Sequence, residues 1–188
     1  MLKILLATGQ NELNNFIENK VIPVVDGELV GLVDCKSDLL PKSQVLNPNL
    51  IIVSKALSGT DRTILETILE VHKMIPSIRI IFLAGNVDTN NKEKMLELGS
   101  LVVNGIYDIH HEKSITKTVL IDMIQNPKQR EDVSYLLKYM KTNQINEDEI
   151  VEFEEEVEDA GDVEKYGYKN VLLVSSIKPG TGKSFVST

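Results

Sequence analysis

Short apolar runs, each followed by a stretch with helical spacing, fill the first 125 residues and leave few folds open to this chain. Lys3–Ala7 reads as a strand ended at the breaker Gly9, and Asn11–Asn19 as a helix with Leu13, Phe16 and Ile17 on one face. Leu29–Val33 is a second strand, and Ser37–Val45 a weakly helical stretch that Pro41 interrupts. Leu50–Val53 is apolar throughout, as a strand buried on both faces requires. Ser58-Gly59-Thr60-Asp61 is a turn that can cap a helix, and Thr63 and Glu66 have capping-box spacing. Ile64, Leu65, Ile68, Leu69 and His72 then repeat at helical spacing up to Pro76. Ile78–Leu83 is a fourth strand, and Asn90–Leu98 a helix stopped by Gly99. Leu101–Ile109 contains a fifth strand, placed in its GIYDI part, and Ile115, Val119, Leu120 and Ile124 mark a fifth helix. Five βα units with right-handed crossovers predict a doubly wound, five-stranded parallel sheet of order 2-1-3-4-5, with helices on both faces.

Composition narrows the function classes. Hydrophobic residues make up 42% of the 188, with no Trp, four Phe and five Tyr, so the core is aliphatic. The net charge of −8 argues against a general nucleic-acid binder. Glu147–Glu164 alone holds 11 acidic residues and no Lys or Arg; without it the chain has 17 acidic against 20 basic residues, a net of +3. One cysteine, Cys35, rules out an internal disulfide and a Cys-based zinc site, and its apolar flank LVGLVDC reads as an inert strand end. His110 and His111 are adjacent and point to opposite faces of a strand, which disfavours a shared metal ion; His72 lies on a helix. No apolar run approaches 18 residues, and MLKILLATGQN reads as a first strand rather than a signal peptide, so a cytoplasmic protein without a membrane span is expected.

The chain divides into a first domain over 1–126, a helix and acidic linker over 127–167, and the start of a further domain over 168–188. A charged helix, Arg130–Met140, carries Leu136, Leu137 and Met140 and either extends the first domain or meets a partner. The acidic stretch reads as a solvated linker. Asn170–Ile177 is another apolar strand and runs directly into Lys178-Pro179-Gly180-Thr181-Gly182-Lys183-Ser184.

That loop is the strongest chemical signal. Glycines let successive backbone N–H groups turn inward onto phosphate oxygens, a lysine brings charge to the terminal phosphates, and the following hydroxyl coordinates Mg²⁺. The strict GxxxxGK[ST] pattern fails, because its first position is Ile177. A bare GxGK[ST] string arises by chance in roughly 1% of chains this long, taking Gly at about 7%, and an apolar strand directly before it lowers that further. The loop resembles the deviant Walker A motif KGGxGK[ST] of the ParA/MinD family, with Pro179 in place of the first glycine of the pair. The same proline occurs in the related bacterial tyrosine kinases. The resemblance implies nucleotide binding by Lys178, Gly180, Thr181, Gly182, Lys183 and Ser184. Lys183 would take the ordinary lysine role, Lys178 would reach a neighbouring subunit's nucleotide, and Ser184 would hold Mg once nucleotide is bound. It implies ATP and Mg as cofactors of the full-length protein. With nothing after Thr188, no catalytic residue is assigned, no bound cofactor is expected, and the chain reads as a fragment ending just inside an ATPase domain.

The first 125 residues resemble the CheY-like receiver fold, with an unrelated flavodoxin-like domain as the alternative. NPNLIIVSKALSGTD matches the third-strand region of receivers and puts Ser54 at the phosphoacceptor aspartate. Ala7-Thr8-Gly9 matches the metal-binding acidic pair, Ala84 the fourth-strand Ser or Thr, and IYDIHHEKS offers only His110, His111 and Lys113 near the fifth-strand lysine. Phosphoryl transfer to a carboxylate needs an acceptor and a metal held by several oxygens, so the resemblance implies a degenerate receiver that keeps the fold without the phosphorylation. A degenerate receiver, an acidic linker and a deviant Walker A loop, in that order, resemble the CpaE/TadZ proteins of Flp (Tad) pilus assembly. That resemblance implies protein partners in the pilus or secretion machinery, a possible homodimer, polar or partner-mediated membrane association, and a receiver part serving localisation, dimerisation or partner binding. The alternatives are the regulatory N-terminal domain of a DNA-partitioning ATPase or of a bacterial tyrosine kinase.

Overall fold

In the computed structural model residues 1–140 are described, and in them the predicted alternation appears as β1 (Leu2–Ala7), α1 (Asn11–Phe16), β2 (Gly27–Leu32), α2 (Lys36–Leu46), β3 (Leu50–Ser54), α3 (Ile64–Met74), β4 (Arg79–Leu83), α4 (Lys92–Val103), β5 (Asp108–His110) and α5 (Lys117–Gln125). All strand pairs are parallel, in the order β2-β1-β3-β4-β5. Side-chain parity sorts the core into two layers. Ile4, Leu6, Leu50, Ile52, Ile81 and Leu83 face α1 and α5, while Leu5, Ala7, Ile51, Val53, Ile80 and Phe82 face α2, α3 and α4. β3 is buried along its whole length, which is why its sequence shows no polar alternation. Each such aliphatic side chain contributes about 1.5–3 kcal/mol on burial.

Local signals place several helix ends. At the start of α3 the Glu66 amide donates to Thr63 Oγ1 at 3.2 Å and the Thr63 amide to Glu66 Oε2 at 2.8 Å. That backbone bond holds the Glu66 carboxyl below its ordinary value. Asn91 and Thr116 cap α4 and α5 in the same sense, each accepting an amide hydrogen bond three residues on.

Five expectations are corrected, the last of them in the segment after α5. Pro41 does not interrupt α2: it sits exposed in the second turn, where one backbone bond is lost. Buried Leu39 and Ser43 hold the helix onto the sheet, and the Ser43 hydroxyl donates to the Leu39 carbonyl at 2.6 Å. The first helix does not end at Asn19. It widens into a π-helical turn over Ile17–Val21 and tightens to 3-10 geometry over Ile22–Val24. Pro23 has no amide to continue regular spacing, and the widened turn keeps Ile17, Val21 and Ile22 in one core layer. Gly99 does not stop α4, which runs to Val103, so Leu101 and Val102 are buried helical residues and β5 starts only at Asp108. Val119 lies on the exposed side of α5, and Met123 takes the buried place.

Residues 131–140 begin as a 3-10 helix, Glu131–Leu136, and continue as helix to Met140 rather than forming one regular helix from Arg130. Val133 and Leu136 are buried with the α4 layer. This packing explains Gly99: a Cβ there would lie 3.0 Å from the Leu136 carbonyl oxygen and 3.1 Å from Met140 Cγ. The glycine permits close approach and does not end the helix.

The amino edge of the sheet carries a buried ion pair. Arg79 Nε donates to Asp108 Oδ2 at 2.8 Å, and the Asp108 side chain is only 6% exposed. The same guanidinium donates to the carbonyls of Ile124 and Met123, the last turn of α5, where a cation also opposes the negative end of the helix dipole. Asp108 Oδ1 accepts the Lys128 amide at 3.1 Å. One charge pair thus ties β4, β5, α5 and the chain after Pro127 together. Replacing Arg79 with Met strands the Asp108 carboxylate, and urea unfolding should show a loss of about 2–3 kcal/mol. A loss below about 0.5 kcal/mol would show that the pair has no structural role beyond that of a surface salt bridge.

Candidate functional site

In an open parallel α/β sheet the chemistry gathers at the carboxyl ends of the strands, where loops from neighbouring βα units converge. Here those ends are Ala7-Thr8-Gly9 after β1, Ser54 closing β3, Ala84-Gly85 after β4, and His110-His111 at the end of β5. The matched positions of the receiver resemblance therefore do share one edge.

Their partners turn inward to hold the loops. Thr8 is fully buried; its hydroxyl donates toward Asn14 Oδ1 at 2.7 Å, with the Gln10 carbonyl at 3.1 Å, and accepts the Gln10 amide at 3.1 Å. Asn14 is itself buried on α1, so this corner is a closed polar pair. Gly9 follows with φ +68, and a Cβ there would lie 2.7 Å from the Ala56 carbonyl oxygen and 2.8 Å from Leu57 Cα. The β1 loop lies against the backbone of the β3 loop, leaving no room for a side chain at Gly9.

Ser54 is 7% exposed, and its Oγ accepts the Ala56 amide at 3.2 Å. The Leu57 amide reaches the Ser54 carbonyl at 3.1 Å and the Lys55 amide the Leu83 carbonyl at 3.0 Å, closing a tight turn against β4. The Ala84 amide donates to the His110 carbonyl at 2.8 Å, and the Val87 amide to the His111 carbonyl at 3.1 Å. The rings of His110 and His111 serve different partners: His110 Nε2 lies 3.0 Å from the Ser114 carbonyl, and His111 Nε2 lies 2.8 Å from the Tyr135 hydroxyl. Burial raises the Tyr135 pKa. His72 is on α3, away from that edge, with Nδ1 buried and unpaired.

No three His, Cys, Asp or Glu side chains come together among the described residues. Ala7–Gly9, Ser54, Ala84-Gly85 and His110-His111 present hydroxyl and imidazole groups and no carboxylate, a donor set that does not fit a hard divalent cation. Cys35 Sγ lies 3.0 Å from Ser37 Oγ, at the start of α2. The phosphate-loop residues Lys178, Gly180, Thr181, Gly182, Lys183 and Ser184 lie outside the described residues, as do the acidic stretch and the Asn170–Ile177 run.

Sequence reasoning missed two features of this domain. The Arg79–Asp108 pair had a signal: each charge interrupts an apolar strand, and a buried charge needs a partner. The Tyr135–His111 bond joins residues 24 positions apart and had none.

Solved structures similar to this one include receiver domains. The isolated receiver domain of RcsB from Salmonella enterica serovar Typhimurium, with the phosphomimetic BeF3-, superposes with a TM-score of 0.57 at 17% identity, covering 72% of this chain and 97% of that one. A CheY-like response regulator receiver domain protein from Methanospirillum hungatei gives 0.54 at 16% identity, over 73% and 98%. A LuxR-family DNA-binding response regulator from Staphylococcus aureus gives 0.53 at 24% identity, over 66% and 97%. These likenesses establish a CheY-like receiver fold. No protein-family model matches the sequence, and no curated protein matches it. Among the described residues no helix is long and apolar enough to cross a membrane.

Gly9→Asp should be the most damaging change at this edge. Its side chain meets backbone atoms in a left-handed conformation, and a stability loss of about 2 kcal/mol or more is expected in denaturant melts. Ser54→Asp buries a carboxylate without a metal and should cost about 1–3 kcal/mol. If Gly9→Asp/Ser54→Asp instead bound Mg²⁺ and gained stability from it, the packed edge described here would be wrong.

Proposed function

We propose that this chain is an atypical receiver domain that is not phosphorylated and serves localisation, dimerisation or partner binding for a MinD/ParA-like ATPase of Flp/Tad pilus assembly. The carrying observation is the carboxyl edge: a receiver fold whose strand ends hold Thr8, Gly9, Ser54 and Ala84 in their own loop contacts, with no acceptor or metal-binding carboxylate. Ser54 is the degenerate phosphoacceptor position. A serine hydroxyl is a weak nucleophile without an adjacent base, and its oxygen already accepts a backbone amide. A regulatory domain that has lost its covalent switch retains its surfaces, and its output is then binding.

The loop Lys178–Ser184 supports the ATPase half of the reading by its sequence. In the protein carrying the complete ATPase domain, Lys183 and Ser184 serve ATP and Mg, and Lys178 acts across a dimer. The partners are then components of the pilus or secretion machinery, and the place of action is the cytoplasmic face of the cell envelope.

Acetyl phosphate with Mg²⁺ should add no phosphate to this chain by intact mass; a stoichiometric gain mapping to Ser54 would overturn the degenerate-receiver half. In the complete protein Lys183→Ala should abolish MgATP binding by calorimetry. Lys178→Ala should spare binding and impair ATP-dependent dimerisation by sedimentation. Unimpaired dimerisation of Lys178→Ala would replace the deviant loop with an ordinary phosphate loop and remove the support for a MinD-like partner domain.

A further inference from the structure

The segment after α5 is bonded to the carboxyl edge at more than one place. His111 is the junction. Its carbonyl accepts the Val87 amide of the β4–α4 loop at 3.1 Å, and its ring nitrogen Nε2 meets the Tyr135 hydroxyl at 2.8 Å. The rings of His111 and Tyr135 are tilted by 58° with centroids 6.1 Å apart, a ring contact beside the hydrogen bond. One helical turn beyond, the Tyr139 hydroxyl donates to the Thr89 carbonyl at 3.3 Å, in the same β4–α4 loop. The contacts close a ring: β4–α4 loop to β5–α5 loop, β5–α5 loop to Tyr135, and Tyr139 back to the β4–α4 loop. Underneath, Val133 and Leu136 are buried, and the Leu136 carbonyl and Met140 sit over Gly99.

We propose that residues 131–140 act as a latch that couples the loops at the carboxyl edge to the direction in which the chain leaves the receiver domain. Buried Val133 and Leu136, half-buried Leu137 and Tyr139 against the same layer, and the hydrogen bonds of the Tyr135 and Tyr139 hydroxyls are among the contacts that hold it. Its tyrosine hydrogen bonds lie at the solvent-exposed face, so the latch belongs to the part of the fold that opens locally before the sheet does. Coupling is reciprocal: whatever reshapes the loop around Val87–Thr89 or His111 loosens the latch, and whatever pulls on the latch loosens those loops. The edge thereby keeps a mechanical output without any phosphoryl chemistry. The latch rests on the described contacts and is independent of the ATPase reading.

Amide hydrogen exchange on the 188-residue chain tests this with complementary variants. Gly99→Leu places a side chain where the Leu136 carbonyl and Met140 now sit. Exchange over 131–140 should accelerate about tenfold, and exchange over 85–91 and 111–116 should accelerate with it, while β1 and β3 stay protected. His111→Leu removes the ring hydrogen bond and leaves the Gly99 packing intact; it should accelerate exchange over 131–140 about threefold or more. Release of 131–140 in Gly99→Leu with both loops unchanged would overturn the coupling, as would wild-type exchange over 131–140 in His111→Leu. Should Gly99→Leu lose the protection of β1 and β3, the His111→Leu result decides alone.

Discussion

A strand buried on both faces governs this molecule. Every side chain of β3 lies inside, and β1 and β4 flank it with nearly continuous aliphatic faces. Such strands can satisfy their backbone groups only through the parallel ladder and can carry almost no polar side chain within their length. Chemistry is therefore pushed to the strand ends. The amino edge takes a structural charge pair, Arg79 with Asp108, and the carboxyl edge takes whatever the loops supply.

At the ends of β1 and β3 the loops supply hydroxyls and a glycine. A hydroxyl–amide pair, Thr8 with Asn14, fills the corner after β1, and a left-handed glycine closes it against Ala56 and Leu57. Ser54 bonds its own turn, and the β4 and β5 ends bond each other through Ala84 and His110. The edge is satisfied internally, as a polar cluster close to a dry core has to be. The same network extends through His111 to Tyr135, so the segment following α5 belongs to the domain's packing.

Much of this was legible in the sequence because it is local or periodic. The strand runs, the capping box of Thr63 and Glu66 and the crossover rule were enough to predict the sheet order. That Ala7–Gly9, Ser54 and Ala84-Gly85 carry no carboxylate was readable too, since it needs only the positions where those strands stop. What escaped depends on contacts distant in sequence. Gly99 looks like a helix stop in isolation and is a close-approach site because Leu136 and Met140 lie over it. The fifth strand, expected over the GIYDI stretch, is correspondingly shorter and starts only at Asp108. The π-helical turn follows from where Ile17, Val21 and Ile22 must point, and periodicity at 3.6 residues has no way to register it.

We propose that the carboxyl edge is a packed loop assembly with no phosphoryl switch. Amide chemical shifts of the chain, recorded with and without beryllofluoride and Mg²⁺, test it most directly. The account predicts no saturable shift at Thr8, Ser54, Ala84 or His110. Saturable shifts at those amides, with slow exchange and a defined stoichiometry, would contradict it.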